Sequence, residues 1–296
     1  MPSRTRSLVL ILAATLSGCG PSPDEYPDTP FATSRPTTGS RFDPTTTGTI
    51  RGRVVWHGTV PDLPLKSAAI PDGAGGHRWA DMPNPFAPVI DEKSRGLAHA
   101  VVYLSGIEPE AGRPWDLPPA RVVMAGHRIV VKQFDSPEER VGIIRRGDEL
   151  EMVSADQAVH SLRARGATFF TLPFPDPEKP LRRRMDAPGL VELTSGAGYY
   201  WAAADLFVAD HPYYAITDRE GRFTLPQVPQ GKYELACWVR NWHVIGQDRD
   251  PETGLIARQR YALPVEKKLP LDLTAVESTN QTFQFDVTDF PSNAMR

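Results

Sequence analysis

Sulfur donors are scarce in this chain of 296 residues, which has cysteine at only two positions, Cys19 and Cys237. If Cys19 is modified, no disulfide can form within the chain. Long apolar runs are also missing. None approaches the roughly 18 residues that a membrane-crossing helix requires. Nor does one sign of charge dominate. Lys+Arg 33 against Asp+Glu 36 leaves a formal net charge of -3, so nothing argues for nucleic acid as a partner. The common catalytic signatures are absent: there is no G-x-S-x-G elbow, no P-loop, no G-x-G-x-x-G and no H-E-x-x-H. Helical patterning is almost absent. The single helix-like stretch, Ala155–Arg165, is short and contains the β-branched Val159. These absences leave no cofactor and no catalytic residue to name from sequence, and the chain is expected not to be an enzyme.

What the chain does have is turn formers and alternation. Gly 23 and Pro 30 imply frequent chain reversals, and 40% hydrophobic content over this length is enough for about two domains. The N-terminus carries Arg4 and Arg6, then the apolar run Leu8–Leu16, then Leu16-Ser17-Gly18-Cys19. This stretch resembles the bacterial lipoprotein lipobox. The resemblance implies a signal peptide over 1–18 and diacylglycerol on the Cys19 thiol. The alternative is an ordinary signal peptide with a chance cysteine. Gly20 follows the cysteine where an inner-membrane address would have Asp. The implied address is therefore the outer membrane or the periplasmic face of the cell envelope, lipid-anchored through acylated Cys19. Residues 19–47 are rich in Pro, Thr, Ser and Asp and read as a tether that cannot bury a core.

From Gly48 onward the pattern has period two. Ile50, Val54 and Trp56 alternate with Arg51, Arg53 and His57. Ala100, Val102 and Leu104 repeat the alternation, as do Phe283, Phe285 and Val287. The expected class is all-β, built from two β-sandwiches. Residues 49–64, 98–106 and 213–239 resemble a carboxypeptidase regulatory-like, transthyretin-type sandwich. Its most recognisable part is T-D-x-x-G-x-F-x-L followed by P-x-G-x-Y-x-L, here Thr217 to Leu235. More than 100 residues separate the first two segments from the third. The expected organisation is thus a split sandwich, 48–117 plus 209–290, interrupted by an insert over 118–208; two consecutive domains are the alternative.

The insert resembles the cupredoxin (plastocyanin-like, methylamine-utilisation-type) domains, a Greek-key sandwich, through residues 140–164 and 205–218. Such domains hold copper with two imidazoles, a thiolate and a weak thioether. His160 stands at the first imidazole position. Counting back from Asp210-His211-Pro212, Gly196 stands at the thiolate position, Tyr199 at the second imidazole and Ala202 at the thioether. Three of the four donors are missing, so His160 reads as vestigial and no metal is expected. Cys237 lies on an apolar strand face beyond the insert and reads as a small buried hydrophobe. His77 and His127, both in Gly-His-Arg settings, could form only an incomplete zinc pair.

Two surface features remain. Arg182-Arg183-Arg184 is a basic run, read as a solvated loop or as a contact for anionic lipid or polymer. Tyr199, Tyr200 and Trp201 form an aromatic cluster at the former metal loop, read as a contact surface with core packing as the alternative. The function expected from sequence is a membrane-tethered, non-catalytic envelope protein with a structural or ligand-binding role. Its partner is an envelope protein or polysaccharide. Two other classes stay open. One is a periplasmic electron-transfer copper protein with a non-standard site. The other is a carbohydrate-binding accessory module resembling the β-sandwich domain of rhamnogalacturonan lyases.

Overall fold

The structure, a computed structural model, describes residues 42–71, 76–134, 140–158, 160–252, 254–274 and 278–292. The signal segment and Cys19 lie outside the described residues. The expected tether ends earlier than its sequence boundary. A 3₁₀ turn at Pro44–Thr46 precedes the first strand, which already includes Thr47. The turn forms because Pro44 presets its first position and the Asp43 carboxylate accepts from the Thr45 N–H at 2.9 Å.

Among the described residues the other regular elements are strands, apart from two further 3₁₀ turns. The first stretch holds β1 (Thr47–Trp56), β2 (Lys66–Pro71), β3 (His77–Met82), β4 (Val89–Ile90), β5 (Leu97–Ala98) and β6 (Val101–Ser105). The middle stretch holds β7 (Arg121–Ala125), β8 (Arg128–Lys132), β9 (Val141–Arg145), β10 (Glu149–Ser154), β11 (His160–Gly166), β12 (Phe170–Phe174), β13 (Leu181–Arg184), β14 (Gly189–Ser195) and β15 (Ala203–Ala209). The last holds β16 (Tyr214–Ile216), β17 (Arg222–Pro229), β18 (Gly231–Val239), β19 (Val244–Arg249), β20 (Ile256–Tyr261), β21 (Val265–Leu273) and β22 (Ser278–Phe285). The helix-like stretch 155–165 is no helix: its second half is β11. There Leu162 and Ala164 face the core while Ser161 and Arg163 are only half-buried, so period two prevails.

Four sheets carry the architecture. Strands from both ends of the chain build two of them, in the orders β17-β1-β22 and β16-β6-β18-β21. β1 runs antiparallel to β17 and parallel to β22, so the N-terminal strand lies between two C-terminal ones, with one isolated bridge from Val55 to Gly96. The middle stretch builds the other two, β13-β10-β7-β8 and β12-β11-β14-β15-β9. Each pair of sheets encloses a core. Ile50, Val102, Leu104, Phe223, Leu235, Cys237 and Phe283 fill one. Val122, Met124, Leu150, Leu162, Val191 and Leu206 are among those filling the other.

A third apolar cluster joins the two sandwiches through Val101, Tyr103, Ile143, Phe207, Ala236 and Trp238. Its origin is legible in the chain. β6 (VVYLS) and β15 (AADLFVA) are buried along nearly their whole length instead of alternating. A strand covered on both faces needs apolar residues on both. In β6, Val102 and Leu104 face one core and Val101 and Tyr103 the joint; in β18, Cys237 and Trp238 divide the same way. The alternation expected through Val287 stops at Phe285. Val287 is exposed because Asp286 caps a 3₁₀ turn there.

Candidate functional site

The end of the middle sandwich where the sequence places the copper loop is a cluster of histidine and aromatic rings. His160 opens β11 and is buried, and its Nε2 lies 2.7 Å from Asp156 Oδ1. Asp156 also accepts from the Gly126 N–H (2.6 Å) and the Ala158 N–H (3.0 Å). Burial opposes ionisation of Asp156, but these hydrogen bonds outweigh it and hold the carboxyl below its ordinary pKa. Gly126 and His127 form the two-residue turn between β7 and β8, both at positive φ (55° and 60°). Through its Gly126 bond, Asp156 ties that turn to β11.

The turn brings in a residue that the sequence does not link to His160. The His127 ring centroid lies 6.0 Å from that of His160 and 4.6 Å from that of Tyr199. Burial, and then the nearby His160, lower the His127 pKa, which favours a neutral ring. The only hint in the sequence is the Ala-Gly-His-Arg turn itself. His77, the other half of the zinc pair weighed from sequence, is exposed on β3. The pairing of His127 is thus with His160.

Tyr199, Tyr200 and Trp201 are buried, at 7%, 9% and 6% exposure, so they do not form a contact surface. The hairpin β2–β3 covers them. It donates Ala68 and Ile70 to their core, and the Lys66 carbonyl accepts from Tyr200 Oη at 3.3 Å. Tyr200 meets Trp201 edge-on at 5.1 Å between centroids, and Tyr199 lies 5.5 Å from Trp201. Such pairs contribute about 0.5–1.5 kcal/mol beyond their area.

The copper donor set does not fit these residues. A Cβ at Gly196 would stand 2.5 Å from Ser161 Oγ and 3.1 Å from Ser161 Cβ, so a thiol there displaces Ser161. The Gly196 N–H donates to the Ser161 carbonyl at 2.6 Å, fixing that close approach. Cys237 sits in the other core, and burial raises its thiol pKa. Among the described residues, no group of three or more His, Cys, Asp and Glu is placed to hold a metal ion.

Other charged groups take separate roles. Asp205 is buried with Arg240, whereas Asp210 pairs at the surface with Arg146 (2.7 Å), so the two carboxylates serve different partners. Arg182, Arg183 and Arg184 lie on the edge strand β13 and not in a loop. Arg182 pairs with Glu151 and Arg184 with Asp186, each at 2.8 Å. Charge on an edge strand discourages pairing with another chain. Sequence reasoning also missed a buried ionic group between the sandwiches. Arg240, just past β18, binds Glu192 of β14 and Asp205 of β15, which are cross-strand partners, and stacks on Phe86 at 4.2 Å.

No family model and no curated protein matches the chain. Among solved structures, a purple cupredoxin from Nitrosopumilus maritimus is similar to 30% of this chain over 99% of its own length. The two share 11% identity, with a TM-score of 0.24. An amicyanin variant in the Cu(I) state is similar over 31% of this chain and 82% of its own, at 14% identity and a TM-score of 0.25. A Cu-containing nitrite reductase from Thermus scotoductus SA-01 is similar over 36% of this chain but only 25% of its own, at 18% identity and a TM-score of 0.26. These likenesses leave the activity of the chain open.

Proposed function

We propose that this chain is a non-catalytic, lipid-tethered envelope protein that binds a ligand or partner. In this reading residues 118–208 form a cupredoxin-like unit that has lost copper, inserted in a regulatory-like sandwich of residues 48–117 plus 209–290. One observation carries it: Tyr199, the residue in place of the second imidazole, packs its ring against His127 beside His160, while Gly196, in place of the thiolate, admits a side chain only if Ser161 shifts. A site closed by rings and lacking its soft anionic donor has no group to hold Cu(I). Binding through other surfaces is what the molecule then offers. The lipobox-like Leu16–Cys19 supplies the tether.

Membrane fractionation of cells expressing the full chain tests the envelope part. The parent should sediment with membranes and gain mass from acyl chains, and Cys19→Ser should move to the soluble fraction. A parent chain that is soluble and unacylated contradicts the proposal.

A further inference from the structure

A cavity of about 440 Å³ lies beside the connection from the 3₁₀ turn Pro109–Ala111 to β7. Its size falls within the roughly 300–1,000 Å³ of small-molecule sites. Phe42, Glu110, Arg113, Trp115, Arg145 and Asp210 line it, with three prolines. It is separate from the imidazole cluster and shares no residue with it.

Arg113 is the built part of this cavity. Its side chain is 3% exposed, and a buried guanidinium is costly unless something holds it. Its Nη2 donates to the Pro212 carbonyl at 3.1 Å, it pairs with Asp116, and it lies over the Tyr213 ring at 5.4 Å. The Tyr213 hydroxyl in turn accepts from the Arg113 backbone N–H at 2.9 Å. After all of this the buried Nε still has no partner. Arg145, at the end of β9, is exposed and joins no ion pair among the described residues. Asp210 is already engaged by Arg146. Trp115 is anchored against the joint between the sandwiches.

We infer that this cavity binds an acidic saccharide, with a uronate carboxylate on Arg145 and a sugar ring stacked on Trp115. The inference rests on the binding role proposed above and names its ligand class. A carboxylate matches the fork of an arginine. The apolar face of a pyranose matches an indole plane. Hydroxyls need both donors and acceptors, and the Arg145 guanidinium and the Glu110 carboxylate on the lining supply them. One uncommitted cation on a lining that also holds Glu110 suits a ligand with one negative charge per ring and many hydroxyls. It does not suit a polyphosphate.

The test is calorimetric titration of the full-length protein in detergent with trigalacturonate, with galactotriose as the neutral counterpart. Trigalacturonate should bind at least about tenfold more tightly than galactotriose. Arg145→Glu should weaken it at least about tenfold, as should Trp115→Ala, while the thermal midpoint of Arg145→Glu stays at the parent value. No trigalacturonate binding at millimolar concentration overturns the inference. So does galactotriose binding equally well, binding that Arg145→Glu leaves intact, or equal competition by inorganic phosphate. A copper-free protein that ignores trigalacturonate sinks this inference alone, whereas one that loads copper sinks the binding role beneath it.

Discussion

Asp156 organises the imidazole cluster through three hydrogen bonds, to the Gly126 N–H, the Ala158 N–H and His160. Removing the carboxylate leaves two backbone donors and a buried ring without their acceptor. Asp156→Ala should therefore lower unfolding stability by about 1–3 kcal/mol in urea titration. An unchanged midpoint contradicts this role. His160 was visible in the sequence through its D-x-x-x-H spacing, which here is a real hydrogen bond. Its neighbour His127 was not. The two are 33 residues apart, and the pairing of β7 with β10, the αL turn and the Gly126–Asp156 hydrogen bond bring them together. Nor could sequence decide the fate of Tyr199, Tyr200 and Trp201. Three aromatics in a loop read equally well as surface or core until the covering hairpin is known.

At the scale of elements, the turn before β17 shows how local chemistry sets the sheet. Asp218 accepts from the Glu220 and Arg222 N–H groups at 2.9 and 2.8 Å. Gly221 takes φ +75°, and a Cβ there would stand 2.1 Å from the Val54 carbonyl. Its own carbonyl accepts from the Val54 N–H at 2.8 Å. Gly221→Ala should cost at least about 1–2 kcal/mol and move the thermal midpoint down. A neutral substitution would show that the turn does not fix β1 against β17. This motif, and with it the inward Phe223, Leu225 and Leu235, was legible because Asp and Gly at that spacing suit a turn and the alternation after it suits a strand. The double-faced strands were harder to read. β6 and β15 look like plain apolar runs, and which half of each run faces the joint depends on the partner sheet. The short hairpins β2–β3 and β19–β20 were missed because β3 and β19 are largely exposed or half-exposed and their sequences, HRWADM and VIGQDR, show no apolar alternation.

Across the whole molecule, the two sandwiches meet at an apolar patch with a buried ionic group at its margin. Glu192 and Asp205 are cross-strand neighbours under one guanidinium, that of Arg240. Burial raises the Asp205 pKa from 3.8 to about 7; Arg240 opposes the shift and Glu192 adds to it. The folded chain therefore keeps a proton that the unfolded chain releases between pH about 4 and about 7. The contribution of this group to stability is fully present below pH about 4 and is lost as pH rises through about 7. Asp205→Asn should flatten that decline in a series of urea titrations across this window. A variant as steep as the parent would show that the slope arises elsewhere.

The account depends most on copper having no place in the middle sandwich. The direct measurement is titration of the full-length protein with Cu(II) and then with a reductant, followed by elemental analysis after desalting. The account predicts substoichiometric copper, no intense visible absorption and no reversible bleaching. One copper per chain with a colour that reduction removes would contradict it.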